Sequence, residues 1–197
     1  MKFRLGITGG IGSGKSTICR VFTVLGIPVF MSDEEAREIM EKEERIIEGV
    51  KSIAGYDIYK NGSLDRPALA GLIFNNDEIL NKINQLVHPA VLEAFDRWVE
   101  KQDSEYVILE SAILLESNID WSIDKILAVI APIEERVSRV MERNSITREQ
   151  VMERIRNQIS ETELIRKSDF IINNADSEMI LSDVIRIHND IINGIRN

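Results

Sequence analysis

Short runs of uninterrupted apolar residues alternate along the chain with longer stretches in which apolar positions recur every three or four residues. The runs at 3–8, 27–30, 106–110, 126–131 and 170–173 read as strands. Runs of this length, rich in Val, Ile, Leu and Phe, are typical of strands buried on both faces. Strands separated by helices require right-handed crossovers, so the pattern predicts an α/β fold with a five-stranded parallel sheet. The last helix is the clearest: Ser177 is positioned to cap it, and Ile180, Leu181, Val184, Ile185, His188, Ile191, Ile192 and Ile195 follow the helical period. On that apolar face His188 reads as a packed helix residue rather than a ligand.

Two stretches exceed a simple crossover. Residues 31–104 are mostly helical in pattern, with a turn signal in Tyr56-Asp57-Ile58-Tyr59-Lys60-Asn61-Gly62-Ser63 and a helix start at Arg66-Pro67. Residues 134–167 carry two capping-box patterns, Thr147 with Gln150 and Ser160 with Glu163, and so predict short helices. The expected organisation is a core of 1–30, 105–133 and 168–197, an acceptor-binding helical insert at 31–104 and a lid at 134–167.

With 197 residues the chain can bury one sizeable core. Its net charge of −9 argues against nonspecific binding to nucleic acid or an anionic membrane. The single cysteine, Cys19, rules out an internal disulfide and suits a reducing compartment. No signal-peptide pattern and no apolar run of membrane-spanning length is present, so a cytoplasmic protein is expected, monomeric or weakly homo-oligomeric.

The candidate chemistry centres on Gly9-Gly10-Ile11-Gly12-Ser13-Gly14-Lys15-Ser16-Thr17, which fits G-x-x-x-x-G-K-[ST]. Glycines let the backbone curl so that successive N–H groups face phosphate oxygens. Lys15 brings a point charge to the β- and γ-phosphates of ATP, and the Ser16 hydroxyl can complete the shell of Mg²⁺. The loop follows a strand pattern and opens a helix, whose positive end faces the same anion. Such a loop on a parallel sheet with two helical inserts is the plan of a P-loop NTPase of the nucleoside monophosphate kinase-like type.

Asp33 follows the second strand, where a carboxylate can deprotonate an acceptor hydroxyl; a helix N-cap explains it equally well. The 134–167 segment holds Arg136, Arg139, Arg143, Arg148, Arg154, Arg156 and Arg166 with Lys167, balanced by seven glutamates to near neutrality. Salt bridging at i,i+4 spacing accounts for most of these arginines, leaving one or two as clamps on the transferring phosphoryl group. His88-Pro89 marks an expected helix break that holds His88 out of the helix, as a substrate contact or as a hydrogen-bonded structural histidine. Glu110 ends the third strand, where P-loop proteins hold an acid near Mg²⁺, and Glu116 follows it closely.

Together these residues resemble the dephospho-coenzyme A kinase family from end to end. Leu5 to Thr17 is similar to its G-[LI]-T-G-G-I-G-S-G-K-S-T run, and Asp33 with Ala36-Arg37 to its D-x-D-x-x-A-R segment. Val87-His88-Pro89, Ile113-Leu114-Leu115-Glu116, Arg139-x-x-x-Arg143, Arg154-x-x-x-Gln158, Asp169 and Ile172-x-Asn174 resemble further family elements. The departures are Met31 for Asp, Glu110 for Asp, Ala112 for Pro, Arg136 for Gln, Leu164 for Lys and Ser168 for Ala. The resemblance implies ATP-dependent phosphorylation of the ribose 3′-hydroxyl of dephospho-coenzyme A. It implies nucleotide binding by Gly10, Ile11, Gly12, Ser13, Gly14, Lys15, Ser16 and Thr17, with Asn174 near adenine. Asp33 would be the base and Arg143 a charge stabiliser, while Arg37, His88 and Glu116 would join Asp33 around the acceptor. Other readings fare worse. Asn81-Lys82-Ile83-Asn84 lacks the aspartate of a GTPase base-reading N-K-x-D, and Asp96-Arg97-Trp98 lies in a helix pattern rather than after a strand as in thymidylate kinases.

Overall fold

The computed structural model describes residues 2–73, 76–116, 122–176 and 179–196. Two compact units are present: Met1–Met31 with Lys101–Asn197, and Ser32–Glu100.

The first unit is built on a parallel sheet. Its strands are β1 (Phe3–Thr8), β2 (Val29–Met31), β5 (Tyr106–Glu110), β6 (Lys125–Ile130) and β7 (Phe170–Asn173), in the order β2-β5-β1-β6-β7. Every pairing among them is parallel. This is the α/β sheet expected, with two edges shifted: β2 starts two residues late because Pro28 lacks a ladder donor, although its carbonyl still accepts from Ile108. β6 starts one residue early, where Asp169 accepts from the Ile126 N–H.

Helices α1 (Lys15–Val24) and α9 (Ile180–Arg196) cover the sheet. Leu5, Ile7, Ile18, Phe22, Tyr106, Ile108, Leu127, Val129, Ile172, Val184, Ile187 and Ile191 make its core. The buried face of α9 differs from the expected one: Ile187 is inside, while Leu181 and Ile185 are exposed. His188 keeps its structural role, its Nδ1 lying 2.8 Å from the hydroxyl of buried Tyr106. The proposed cap Ser177 lies outside the described residues.

Residues 134–167 belong to this unit as α6 (Ile133–Asn144), α7 (Arg148–Arg156) and α8 (Glu161–Arg166). Thr147 and Gln150 form the full reciprocal capping box on α7. Ser160 accepts from the Glu163 N–H on α8. Val137, Val140 and Val151 form a small core here, with Ile11 of the loop packed against it.

The second unit contains α2 (Ser32–Lys42), α3 (Glu44–Ala54), a hairpin of β3 (Tyr59–Lys60) and β4 (Ser63–Leu64), α4 (Arg66–Ile73) and α5 (Asp77–Glu100). Asn61 and Gly62, at φ 52° and 81°, make the two-residue turn that suits a right-twisted hairpin. Asp65 caps α4 by accepting from the Ala68 N–H.

The expected break at His88-Pro89 is corrected. Helix α5 runs through Pro89 without interruption. Proline removes one N–H, but Val87, Ala90, Val91, Ala94 and Phe95 are buried on either side of it, and their packing outweighs the lost bond. His88 therefore sits inside the helix, half-buried, and burial pushes its pKa below the usual imidazole value.

Candidate active site

Residues 9–17 leave the carboxyl end of β1 and turn into α1, the edge of an open parallel sheet where ligands bind. Gly12 and Gly14 hold φ values of 79° and 92°, the left-handed region that side chains disfavour. Neither has room for more: a β-carbon on Gly12 would meet the Arg136 carbonyl at 2.5 Å, and one on Gly14 would meet Asn174 Nδ2 at 1.9 Å. Gly14 is the N-cap of α1 and gives no side-chain cap, so the helix start is left to its backbone N–H groups.

Lys15 lies along this loop with little exposure. Its Nζ donates to the Gly9 carbonyl at 2.9 Å and stands 3.8 Å from Glu110 Oε1 at the end of β5. Glu110 is itself 5 % exposed, so cation and carboxylate are both removed from bulk water. Ser16 is exposed on the first turn of α1. Behind them Cys19 is buried; burial first, then the Glu110 charge, push its thiol up to about 12.

The loop fits a phosphate ligand with Mg²⁺. It offers a cationic Lys15, the Ser16 hydroxyl and the Glu110 carboxylate in one cluster. Ser13 Oγ, 1 % exposed as a residue, is also buried without a hydrogen-bond partner, a state that native polar groups rarely keep. Among the described residues no group of three or more His, Cys, Asp or Glu forms a metal cluster, so a metal here would rely on phosphate oxygens for much of its shell.

Four side chains from other elements brace the loop, Arg139 of α6 among them, its Nη1 donating to the Gly12 carbonyl at 3.5 Å. Asn174, just after β7, donates from Nδ2 to the Ser13 carbonyl at 2.8 Å. Gln158, after α7, accepts from the Ile11 N–H at 2.8 Å. Arg136, in the first turn of α6, donates from Nε to the Ile11 carbonyl at 3.0 Å. Arg136 is buried, and desolvation lowers its pKa against the opposing influence of Glu161.

The arginines of 134–167 divide by these contacts. Arg139 reaches the Asn174 carbonyl at 2.9 Å and pairs with Glu135 and Asp176. Arg139–Glu135 has the expected i,i+4 spacing, whereas Arg148 pairs through both terminal nitrogens with Glu134 fourteen residues away and Arg166 with Glu163 at i,i+3. Arg143 is exposed, its Nε bonded to neighbouring Asn144. Sequence reasoning singled out Arg143 and missed Arg136 as a loop contact; the signal available was the unusual Arg at that position.

Glu116 accepts from the Ile159 N–H at 2.9 Å, while its Oε2 is buried without a partner. Asp33, Arg37 and His88 belong to the second unit. Asp33 is the second residue of α2, which begins at Ser32, so the cap position falls on Met31 and the N-cap reading of Asp33 is corrected. Asp33 and Arg37 are both exposed and stand four apart on one face of that helix.

Comparison with known proteins agrees with this arrangement. The family model for dephospho-CoA kinase matches residues 3–179. A dephospho-CoA kinase of Bacteroides fragilis is 35 % identical over 188 residues, covering 95 % of this chain and 92 % of the relative. One of Fusobacterium nucleatum is 37 % identical over 183 residues, covering 92 % of this chain and 95 % of the relative. The crystal structure of TT1252 from Thermus thermophilus superposes with a TM-score of 0.84 at 34 % identity, covering 98 % of this chain and 97 % of that one. The chain belongs to the dephospho-CoA kinase family.

Proposed function

We propose that the chain transfers the γ-phosphoryl group of ATP to the ribose 3′-hydroxyl of dephospho-coenzyme A, giving coenzyme A and ADP in the final step of coenzyme A biosynthesis. The observation that carries this reading is the phosphate loop at the end of β1, with Lys15 and Glu110 3.8 Å apart at its mouth, in a chain matched nearly end to end by dephospho-CoA kinases.

The loop from Gly10 to Thr17 holds the phosphates, and Lys15 leaves the Gly9 carbonyl for the β- and γ-phosphate oxygens. The Ser16 hydroxyl, with the Glu110 carboxylate, would hold Mg²⁺, which would supply charge neutralisation on the phosphates when bound. Asp33 accepts the proton of the acceptor hydroxyl. The hydroxyl oxygen then forms a bond to the γ-phosphorus as the bond from that phosphorus to the β–γ bridging oxygen breaks, and ADP leaves with the electron pair. Arg143 stabilises the charge that develops on the phosphoryl group, and Asn174 lies near the adenine. Arg37, His88 and Glu116 contact the acceptor. Residues 31–104 bind that acceptor and residues 134–167 close as a lid, excluding water. The acceptor is a small molecule, and no helix among the described residues is long and apolar enough to cross a membrane. A cytoplasmic enzyme, monomeric or weakly homo-oligomeric, suits this role.

Product analysis with ATP, Mg²⁺ and dephospho-coenzyme A tests the reaction, and Asp33→Asn tests the base. Asparagine keeps the size of the side chain but cannot take the proton, so turnover should fall ~10²–10⁴-fold with little change in either KM. Unchanged kinetics in this variant would place the base elsewhere.

A further inference from the structure

One residue of the phosphate loop, Ile11, is gripped from three directions by the arginine-rich segment, through the peptide group on each side of it and through its side chain. The Ile11 N–H donates to Gln158 Oε1 at 2.8 Å, and the Ile11 carbonyl accepts from Arg136 Nε at 3.0 Å. Its side chain packs against the core of Val137, Val140 and Val151. The two polar partners come from different places in the chain: Arg136 from the first turn of α6, Gln158 from the turn beyond α7. Arg136 is 8 % exposed, and its guanidinium lies so close over Gly10 that a β-carbon there would come within 2.0 Å of it.

Burying a guanidinium is costly unless its bonds and charge are used. The contact that offsets the cost is the bond to the Ile11 carbonyl.

We propose that Arg136 and Gln158 are positioning residues that fix the two peptide groups flanking Ile11, and thereby hold the phosphate loop in its nucleotide-receiving shape. The proposal rests on the nucleotide-binding reading of that loop. Neither residue needs to touch the phosphates. With both the N–H and the carbonyl of Ile11 committed to that segment, and the Ser13 N–H closing the turn onto the Gly10 carbonyl at 3.1 Å, the Gly12 amide is held in one orientation before ATP arrives. Donors fixed in advance bind an anion without the entropy loss of ordering a mobile loop.

The test uses the full chain, with ATP binding measured by calorimetry in the presence of Mg²⁺ and with steady-state kinetics beside it. Arg136→Met and Gln158→Met keep the approximate length of each side chain and delete the bond to Ile11. Each should weaken ATP binding about tenfold, the worth of one such hydrogen bond. The KM for dephospho-coenzyme A should stay unchanged. Gln158→Glu still offers an oxygen to the Ile11 N–H and should bind ATP nearly as the parent does. Because both residues act through the same loop residue, holding the peptide groups on either side of it, the double Met variant should be little worse than the weaker single variant. Losses that multiply in the double variant, parental affinity in the single ones, or no rescue by Gln158→Glu would each overturn the proposal. If Arg136→Met does not fold, the contrast of Gln158→Met with Gln158→Glu decides alone. A parent protein that binds ATP but does not phosphorylate dephospho-coenzyme A would end the transferase reading while leaving this binding test intact; one that binds no ATP would end both.

Discussion

The phosphate loop and the arginine-rich segment 134–167 meet at Ile11, yet they hold their shapes by different means. In the loop the backbone decides. Gly12 and Gly14 occupy left-handed φ values, with neighbours too close for a β-carbon. In the segment side chains decide: the Thr147–Gln150 capping box starts α7, Arg139 ties α6 to Asn174, and three valines make a small core. A rigid backbone feature fails as a unit when one position is changed. A set of separate side-chain bonds fails one bond at a time, so its losses are graded.

The sharpest test of this contrast lies in the loop. Lys15→Ala should lower turnover by ~10²–10³-fold, the usual cost of losing one electrostatic contact to the transition state. Since Lys15 stands 3.8 Å from buried Glu110, the melting temperature should fall slightly as well. Turnover like that of the parent in this variant would remove the loop from the catalytic machinery.

Gly14→Ala comes next. A side chain at φ 92° carries a left-handed penalty of ~1–2 kcal/mol, and its methyl would collide with Asn174 Nδ2 at 1.9 Å. ATP affinity should drop roughly tenfold or more. Gly26→Ala is the control, because Gly26 has φ 83° but nothing within 4 Å of its missing β-carbon. It should lose stability by a similar ~1–2 kcal/mol in denaturant titration and leave ATP affinity alone. Equal effects on ATP binding from both glycines would show that strain, not the Asn174 contact, sets the loop.

Within the segment, Arg143→Lys and Arg148→Lys separate phosphate clamping from surface pairing. Both keep the charge and lose the planar fork. Arg143→Lys should lower turnover roughly tenfold if a charge-assisted bond to phosphate is lost. Arg148 pairs with exposed Glu134, at 2.7 Å through each nitrogen, and its variant should turn over normally. Hydrogen exchange across 134–167 should slow when ATP and dephospho-coenzyme A are both bound. Indistinguishable arginine variants with unchanged exchange would make the segment a scaffold rather than a lid.

The smallest effect should come from Thr147→Ala. Loss of the cap on α7 should cost about 1 kcal/mol of stability in denaturant unfolding, with turnover unchanged. A large kinetic defect from this exposed turn would mean the segment behaves as one rigid piece, contrary to the distinction drawn above.

The same distinction explains what the amino-acid sequence discloses. The five strands are legible because burial on both faces demands continuous apolar runs, as in Tyr106–Glu110, where every residue is buried. The loop is legible because its glycines answer to local backbone geometry. Arg136 is not: its bond to Ile11 joins residues 125 apart in sequence, and nothing in its neighbours on α6 announces that contact. His88 misleads for the opposite reason. The local rule before proline favours a break, but the apolar face that α5 buries from Ile83 to Val99 spans Pro89 and keeps the helix whole. In α9 the period and part of the face are legible, since Val184 and Ile191 are buried as the pattern predicts, while only packing on the sheet puts Ile187 inside and leaves Leu181 and Ile185 exposed.

The position of Cys19 has a consequence for chemistry that has nothing to do with phosphate. Dephospho-coenzyme A and coenzyme A both end in a free thiol, and in oxidised form either is a disulfide that a protein thiolate can attack. Attack requires an accessible and ionised sulfur. Cys19 is 4 % exposed on the buried face of α1, and burial holds its thiol up at about 12. At neutral pH it is therefore protonated and screened by Ile18 and Phe22, both fully buried in the same core. A protein that spends its working life beside a thiol-bearing substrate carries its one cysteine where mixed-disulfide exchange with that substrate does not reach it.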